Sequence, residues 1–166
     1  MATLAIGNNK VHTNGDIPSV GKTAPDFTLA DNKLNDVSLS SFRGQSVVLN
    51  IFPSIDTSTC AQSVREFNRR AAALAKTTVL CIAKDLPFAM RRFCAAEGID
   101  RVITLSDFRS RDFGNDYHVE MTDGPMRGLF ARVVIVIDEA GVVKHTEVVP
   151  VIGQEPDYEA ALKALV

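Results

Sequence analysis

Residues 50–67 read NIFPSIDTSTCAQSVREF. An apolar run stops at Pro53, a cluster of hydroxyl side chains follows, and Cys60 comes just before a new pattern begins. From there Val64, Phe67, Ala71 and Leu74 recur at helical spacing, which predicts a helix over residues 58–75. The run before the proline, VVLNIF (47–52), predicts a buried strand. Cys60 therefore falls in a helix's first turn, where unpaired backbone N–H groups carry partial positive charge. That charge favours thiolate over thiol, and thiolate is the reactive form. Pro53 stiffens the approach, and the Thr57 hydroxyl is able to accept from or donate to a bound oxygen atom. On this stretch alone a packing thiol is the competing reading.

Working outward, TLAIGNNKVHT near the N-terminus predicts a short hairpin around Gly7, Asn8 and Asn9. A Pro- and Gly-rich loop and VSLSSFRG come next. Beyond VVLNIF, further strands are predicted at 78–83, 102–105, 133–137 and 142–149. The last two flank DEAG and should form an antiparallel hairpin. Asp85 is read as the cap of a helix carrying Phe88, Phe93 and Cys94, with Gly98 as its stop. Residues 107–117 predict a short helix, and EPDYEAALKAL a C-terminal one with Pro156 in its first turn. The order β-α-β-α-β-α-β-β-α implies an α/β or α+β sandwich around a mixed sheet covered on both faces.

At 166 residues, 46% hydrophobic and 23% charged, the chain is expected to be a single domain over 1–166 with a full core. A net charge of -2 gives no electrostatic case for nucleic acid or an anionic membrane. No apolar run reaches the ~20 residues a membrane helix needs. MATLAIGNNKVH lacks the basic end and long apolar core of a signal peptide, so a cytoplasmic location is expected. The three cysteines, Cys60, Cys81 and Cys94, form no CxxC pair, and His12, His118 and His145 are scattered, which argues against structural zinc. Cys81, inside TVLCIA, is read as core packing, and Cys94 on its own pattern is compatible with helix filler. Arg91 and Arg92 are assigned to a solvated helix face.

PSIDTSTC (53–60) matches the pattern Pro-x-x-x-Thr-x-x-Cys of peroxiredoxin active sites, and GKTAPDFTL (21–29) matches that family's N-terminal segment. The run 37–68, with DLPFAMRRFCAAEG, ITLSDFR, DGPMRGLFAR and EPDYEAAL, resembles the bacterial thiol peroxidase branch, an atypical two-cysteine peroxiredoxin. This resemblance covers nearly the whole chain and implies a thioredoxin-like fold. It implies Cys60 as peroxidatic cysteine, Cys94 as resolving cysteine, Arg132 as the active-site arginine, Thr57 orienting the peroxide and Pro53 shielding the pocket. It further implies an intrachain Cys60–Cys94 disulfide reduced by thioredoxin, hydrogen peroxide and organic hydroperoxides as substrates, no metal, flavin or haem, and a homodimer. Chemistry agrees at Arg132: a guanidinium keeps its proton, so it is able to stabilise a thiolate and polarise an O–O bond. Two rival readings are a disulfide oxidoreductase and a redox sensor or holdase. The missing CxxC argues against the first.

Overall fold

The computed structural model describes residues 1–166. Its N-terminal hairpin pairs β1 (Thr3–Ile6) with β2 (Asn9–His12) antiparallel, and Gly7 supplies the positive φ of 58° that the tight turn requires. A second hairpin, β3 (Thr28–Asp31) and β4 (Asp36–Ser38), was not read from the sequence. Its turn is held by the Asp31 carboxylate, which accepts from the Lys33 and Asn35 N–H groups. A 3-10 turn at Leu39–Phe42 leads to β5 (Ser46–Ile51), α1 (Ser58–Ala71), β6 (Thr77–Ala83) and α2 (Pro87–Glu97). Then follow β7 (Ile103–Ser106), α3 (Asp112–Tyr117), β8 (Val133–Ile137), β9 (Val143–Val148) and α4 (Tyr158–Lys163).

Seven strands form one mixed sheet in the order β4-β3-β7-β6-β5-β8-β9. β5, β6 and β7 run parallel, while β8 lies antiparallel to β5 and β9 to β8. The sheet is apolar on both faces because both are covered, as the near-continuous runs imply. Val47, Leu49 and Ile51 face one core, shared with the N-terminal hairpin (Leu4, Val11) and α3 (Phe113, Tyr117). Val48 and Phe52 face the other, shared with Val64 and Phe67 of α1, Met90 of α2 and Ala161 of α4. This is the thioredoxin-like α/β sandwich with an N-terminal hairpin.

Several details depart from the sequence reading. α1 ends at Ala71 rather than 75: Ala72 is still right-handed helical, but Ala73 and Leu74 donate to the carbonyls of Arg70 and Ala71, three residues back, and the backbone reaches positive φ at Lys76. The helix expected over 107–117 is confined to Asp112–Tyr117. Pro156 precedes the cap of α4 instead of lying in its first turn; the cap is Asp157, whose carboxylate accepts from the Ala160 N–H. Asp85 does not cap α2. Leu86 occupies that position without a side-chain bond, and Pro87, whose missing N–H costs nothing there, opens the helix. Gly98 does stop α2, in the left-handed conformation, donating to the Cys94 carbonyl.

Candidate active site

The end of β5 organises the site. Thr57 adopts extended backbone and caps α1, and its Oγ1 accepts from the Cys60 N–H at 3.3 Å. The N–H at Cys60, expected to be unpaired, is thus taken by the cap. The same hydroxyl donates to the Ser54 carbonyl at 3.2 Å. With its proton and one lone pair engaged, Thr57 keeps one lone pair, so toward a further ligand it is an acceptor. Cys60 is fully buried, and Pro53 is buried at the strand's end.

Arg132 reaches the same place from β8. Ile51 pairs with Val133, so the antiparallel register carries Arg132 opposite Phe52, one residue from Pro53. It is the largest fully buried side chain and only 2% exposed. Its Nε and Nη2 both donate to the Ile152 carbonyl, at 3.0 and 2.8 Å. No carboxylate pairs with it, and buried Nη1 has no partner. A buried cation without a counter-charge is costly unless an anion or a strong acceptor meets it. A thiolate or a polarised peroxide oxygen is such a group, and the spare N–H is a donor for it.

The loop after β9 closes this corner. Gly153 accepts from the Thr59 hydroxyl of α1 at 3.1 Å, next to the Ile152 carbonyl that holds Arg132. The Ile152 N–H in turn donates to Ala5, and the Ala5 N–H to Pro150, so the N-terminal hairpin buttresses the loop.

Beneath α1 runs a short polar chain that the sequence reading passed over. Asn50 is fully buried in β5; its Nδ2 donates to Ser63 Oγ at 3.1 Å and lies 3.7 Å from Cys81 Sγ. Ser63 donates to the Cys60 carbonyl at 2.7 Å. The one polar letter inside VVLNIF was the only signal of it. Burial pushes the Cys81 thiol up to about 12, which keeps it protonated and inert, as expected of packing. Cys94 lies in α2, which packs over β7, whereas α1 packs over β6. Burial also pushes the Cys94 thiol up, offset in part by the Thr104 hydroxyl. All three cysteines are free thiols. Of the histidines, His12 is not solitary: its Nδ1 lies 2.7 Å from Asp123 on the side of the hairpin. No three His, Cys, Asp or Glu side chains converge as a metal site, and no helix is long and apolar enough to cross a membrane.

The Redoxin family model matches residues 19–162. The chain is 54% identical over 165 residues to the thiol peroxidase of Mycobacterium tuberculosis, covering 99% of each chain. It belongs to the bacterial thiol peroxidases, atypical two-cysteine members of the peroxiredoxin family. The thiol peroxidase of Corynebacterium glutamicum is 52% identical, again over 99% of both chains. Among solved structures, the peroxiredoxin-like protein from Aquifex aeolicus superimposes with a TM-score of 0.92 at 33% identity, covering 98% of this chain and 95% of that one. The thiol peroxidase from Chromobacterium violaceum gives 0.89 at 26% identity, over 97% and 94%. The activity of this thiol peroxidase is thiol-dependent reduction of peroxides through a catalytic cysteine.

Proposed function

We propose that Cys60 is that cysteine and that the chain, acting as one unit over 1–166, runs a two-cysteine cycle. The Cys60 thiolate attacks the distal peroxide oxygen. The O–O bond breaks, the leaving oxygen takes up the proton the thiol had given to solvent and departs as water or an alcohol, and Cys60 becomes a sulfenic acid. Thr57 accepts from the peroxide O–H, Arg132 donates through Nη1 to the reacting oxygen, and Pro53 shields the pocket. Cys94 then attacks the Cys60 sulfur, expelling water and forming an intrachain disulfide. A thioredoxin-type dithiol reduces that bond by exchange and is itself oxidised. The observation carrying this reading is a buried, carboxylate-free arginine at the sheet end where Thr57 caps the first turn around Cys60.

Hydrogen peroxide and organic hydroperoxides are both assigned as substrates, with a cytoplasmic site of action. A homodimer completes the reading. Leu86 and Phe88, exposed at the start of α2, give such an assembly apolar surface to bury.

Peroxide consumption coupled to thioredoxin and its reductase tests the cysteine roles. Cys60→Ser should abolish turnover, since serine stays protonated near neutral pH. Cys94→Ser should consume about one equivalent and stall as a sulfenic acid. Sustained thioredoxin-dependent turnover by Cys94→Ser would remove Cys94 from the cycle.

A further inference from the structure

Asp85, misread from the sequence as a helix cap, spends its carboxylate elsewhere. One oxygen accepts from Ser54 Oγ and the other from the Ile55 N–H, both at 2.8 Å, across about thirty residues of chain. Ser54 is the hub of the loop between Pro53 and Cys60. Its carbonyl receives the Thr57 N–H and the Thr57 hydroxyl, and its own hydroxyl receives the Asp56 N–H. Asp85 is the outside anchor of that hub. It also stands two residues before Pro87, where α2, the helix of Cys94, begins.

The parallel register explains the meeting. Ile51 pairs with Ile82, so the chains leaving β5 and β6 emerge side by side, one toward α1 and the other toward α2. A carboxylate here touches both exits. Farther along, the middle of α1 is tied to the end of α2 by the Arg65–Glu97 pair, with both bonds at 2.9 Å but both side chains in contact with water. Such exposed pairs contribute little. Charge-assisted bonds to a backbone N–H are stronger, and these lie at the ends where Cys60 and Pro87 stand.

We infer that Asp85 is a positioning residue that latches the Cys60 loop to the start of the Cys94 helix, so that the two segments open together. The inference rests on the two-cysteine cycle proposed above. Latched, the loop holds Thr57 against Cys60 for attack on peroxide. Released, it frees both helix starts, and the sulfurs gain the mobility that a disulfide's narrow geometry demands. The latch therefore sets how the enzyme divides its time between the peroxide step and the resolving step.

The test uses Asp85→Ala, Asp85→Asn and Ser54→Ala in the full chain, with folding checked by circular dichroism. Asp85→Asn retains the shape and loses the charge, and Ser54→Ala removes one of the two Asp85 bonds, together with the acceptor of the Asp56 N–H, while leaving Asp85 in place. Stopped-flow oxidation of the reduced enzyme reads the peroxide step, and the later disulfide phase reads resolution. Amide exchange of the reduced protein reads opening directly. In Asp85→Ala, which removes both charge-assisted bonds, exchange over 57–66 and 86–97 should rise in both segments by at least ~10-fold. The peroxide step should slow and the disulfide phase should quicken. Ser54→Ala and Asp85→Asn should shift the same readouts less. A general loss of packing would slow both steps, so the opposed changes are the signature. Unchanged exchange, a rise in only one segment, or both steps slowing would overturn the latch. If the unsubstituted enzyme forms no disulfide, the two-cysteine cycle fails instead, and the paired rise in exchange still decides whether Asp85 is a latch. Where Asp85→Ala does not fold, Ser54→Ala carries the test.

Discussion

At Arg132 the structure sharpens what the residue type alone implies. A surface arginine would be paired or solvated; this one is buried, held from one side by a single carbonyl, with its Nη1 amino group unpaired. Its fixed charge favours an anion or strong acceptor in front of Nη1. Arg132→Met should therefore slow sulfenic acid formation by at least ~10-fold, the factor expected for one charge-assisted donor. Arg132→Lys should rescue only part, because an ammonium cannot bond Ile152 through two nitrogens and also present a third in one plane. Rapid-mixing oxidation reads the rate of each variant. An Arg132→Met enzyme with the original rate would return that residue to a purely structural part. Its partner Ile152 had no sequence signal, since a backbone carbonyl is the same in every residue.

At the scale of elements, the proposed cycle asks two helices to give way. α1 holds Cys60 in its first turn and α2 holds Cys94 near its end, each over a different strand. A disulfide requires Cα atoms roughly 4.4–6.8 Å apart with converging Cβ directions, which two separately packed helices do not readily satisfy. The start of α2 is well suited to opening, because Leu86 offers no capping bond and Pro87 no N–H. Oxidation should therefore remove exchange protection over 57–66 and 86–97 while β5, β6 and β8 stay protected, measured on the two redox forms by mass spectrometry. Local opening of this kind costs far less than global unfolding. Equal protection in both forms would show that the disulfide closes without unwinding. The helices themselves were legible from spacing. Their ends were less so, because a terminus depends on which side chain wins a few hydrogen bonds. Asp157 caps α4, whereas Asp85, equally suited by type, is drawn off to Ser54 and Ile55.

Over the whole molecule, the buried thiols and phenols give stability a defined pH dependence. Burial pushes Cys81 up to about 12, and it pushes Cys94, Tyr117 and Tyr158 upward as well. Each folded value lies above the unfolded one, so the contribution is full below the unfolded pKa and is lost as pH rises toward the folded value. For Cys81 the window runs from about 9 to about 12. Within it, each such group lowers stability by up to ~1.4 kcal/mol per pH unit. From neutral pH up to this window urea midpoints should change little, and within it they should fall. Cys81→Ala, though less stable throughout, should show a slope shallower by about one proton. An unaltered slope would mean that Cys81 titrates alike in folded and unfolded chains.

The strand–helix alternation, the two-faced sheet and the placement of Cys60 at a strand-to-helix junction were legible in the amino-acid order. These follow from hydrophobic periodicity and from Pro53 and Thr57, which act over a few residues. The resemblance it carried named Arg132 and Cys94 as well. Tertiary structure alone decided the β3–β4 pairing, where polar DNKLND interrupts any alternating pattern and β3 joins β7 through only Ala30 and Asp31. It also decided the contacts that shape the site: Ile152 on Arg132, Ser63 under Cys60, and Asp85 on Ser54 and Ile55. Such contacts are hydrogen bonds between groups far apart along the chain. Their partners are common polar atoms with no periodicity, so only the packing of strands and helices brings them together.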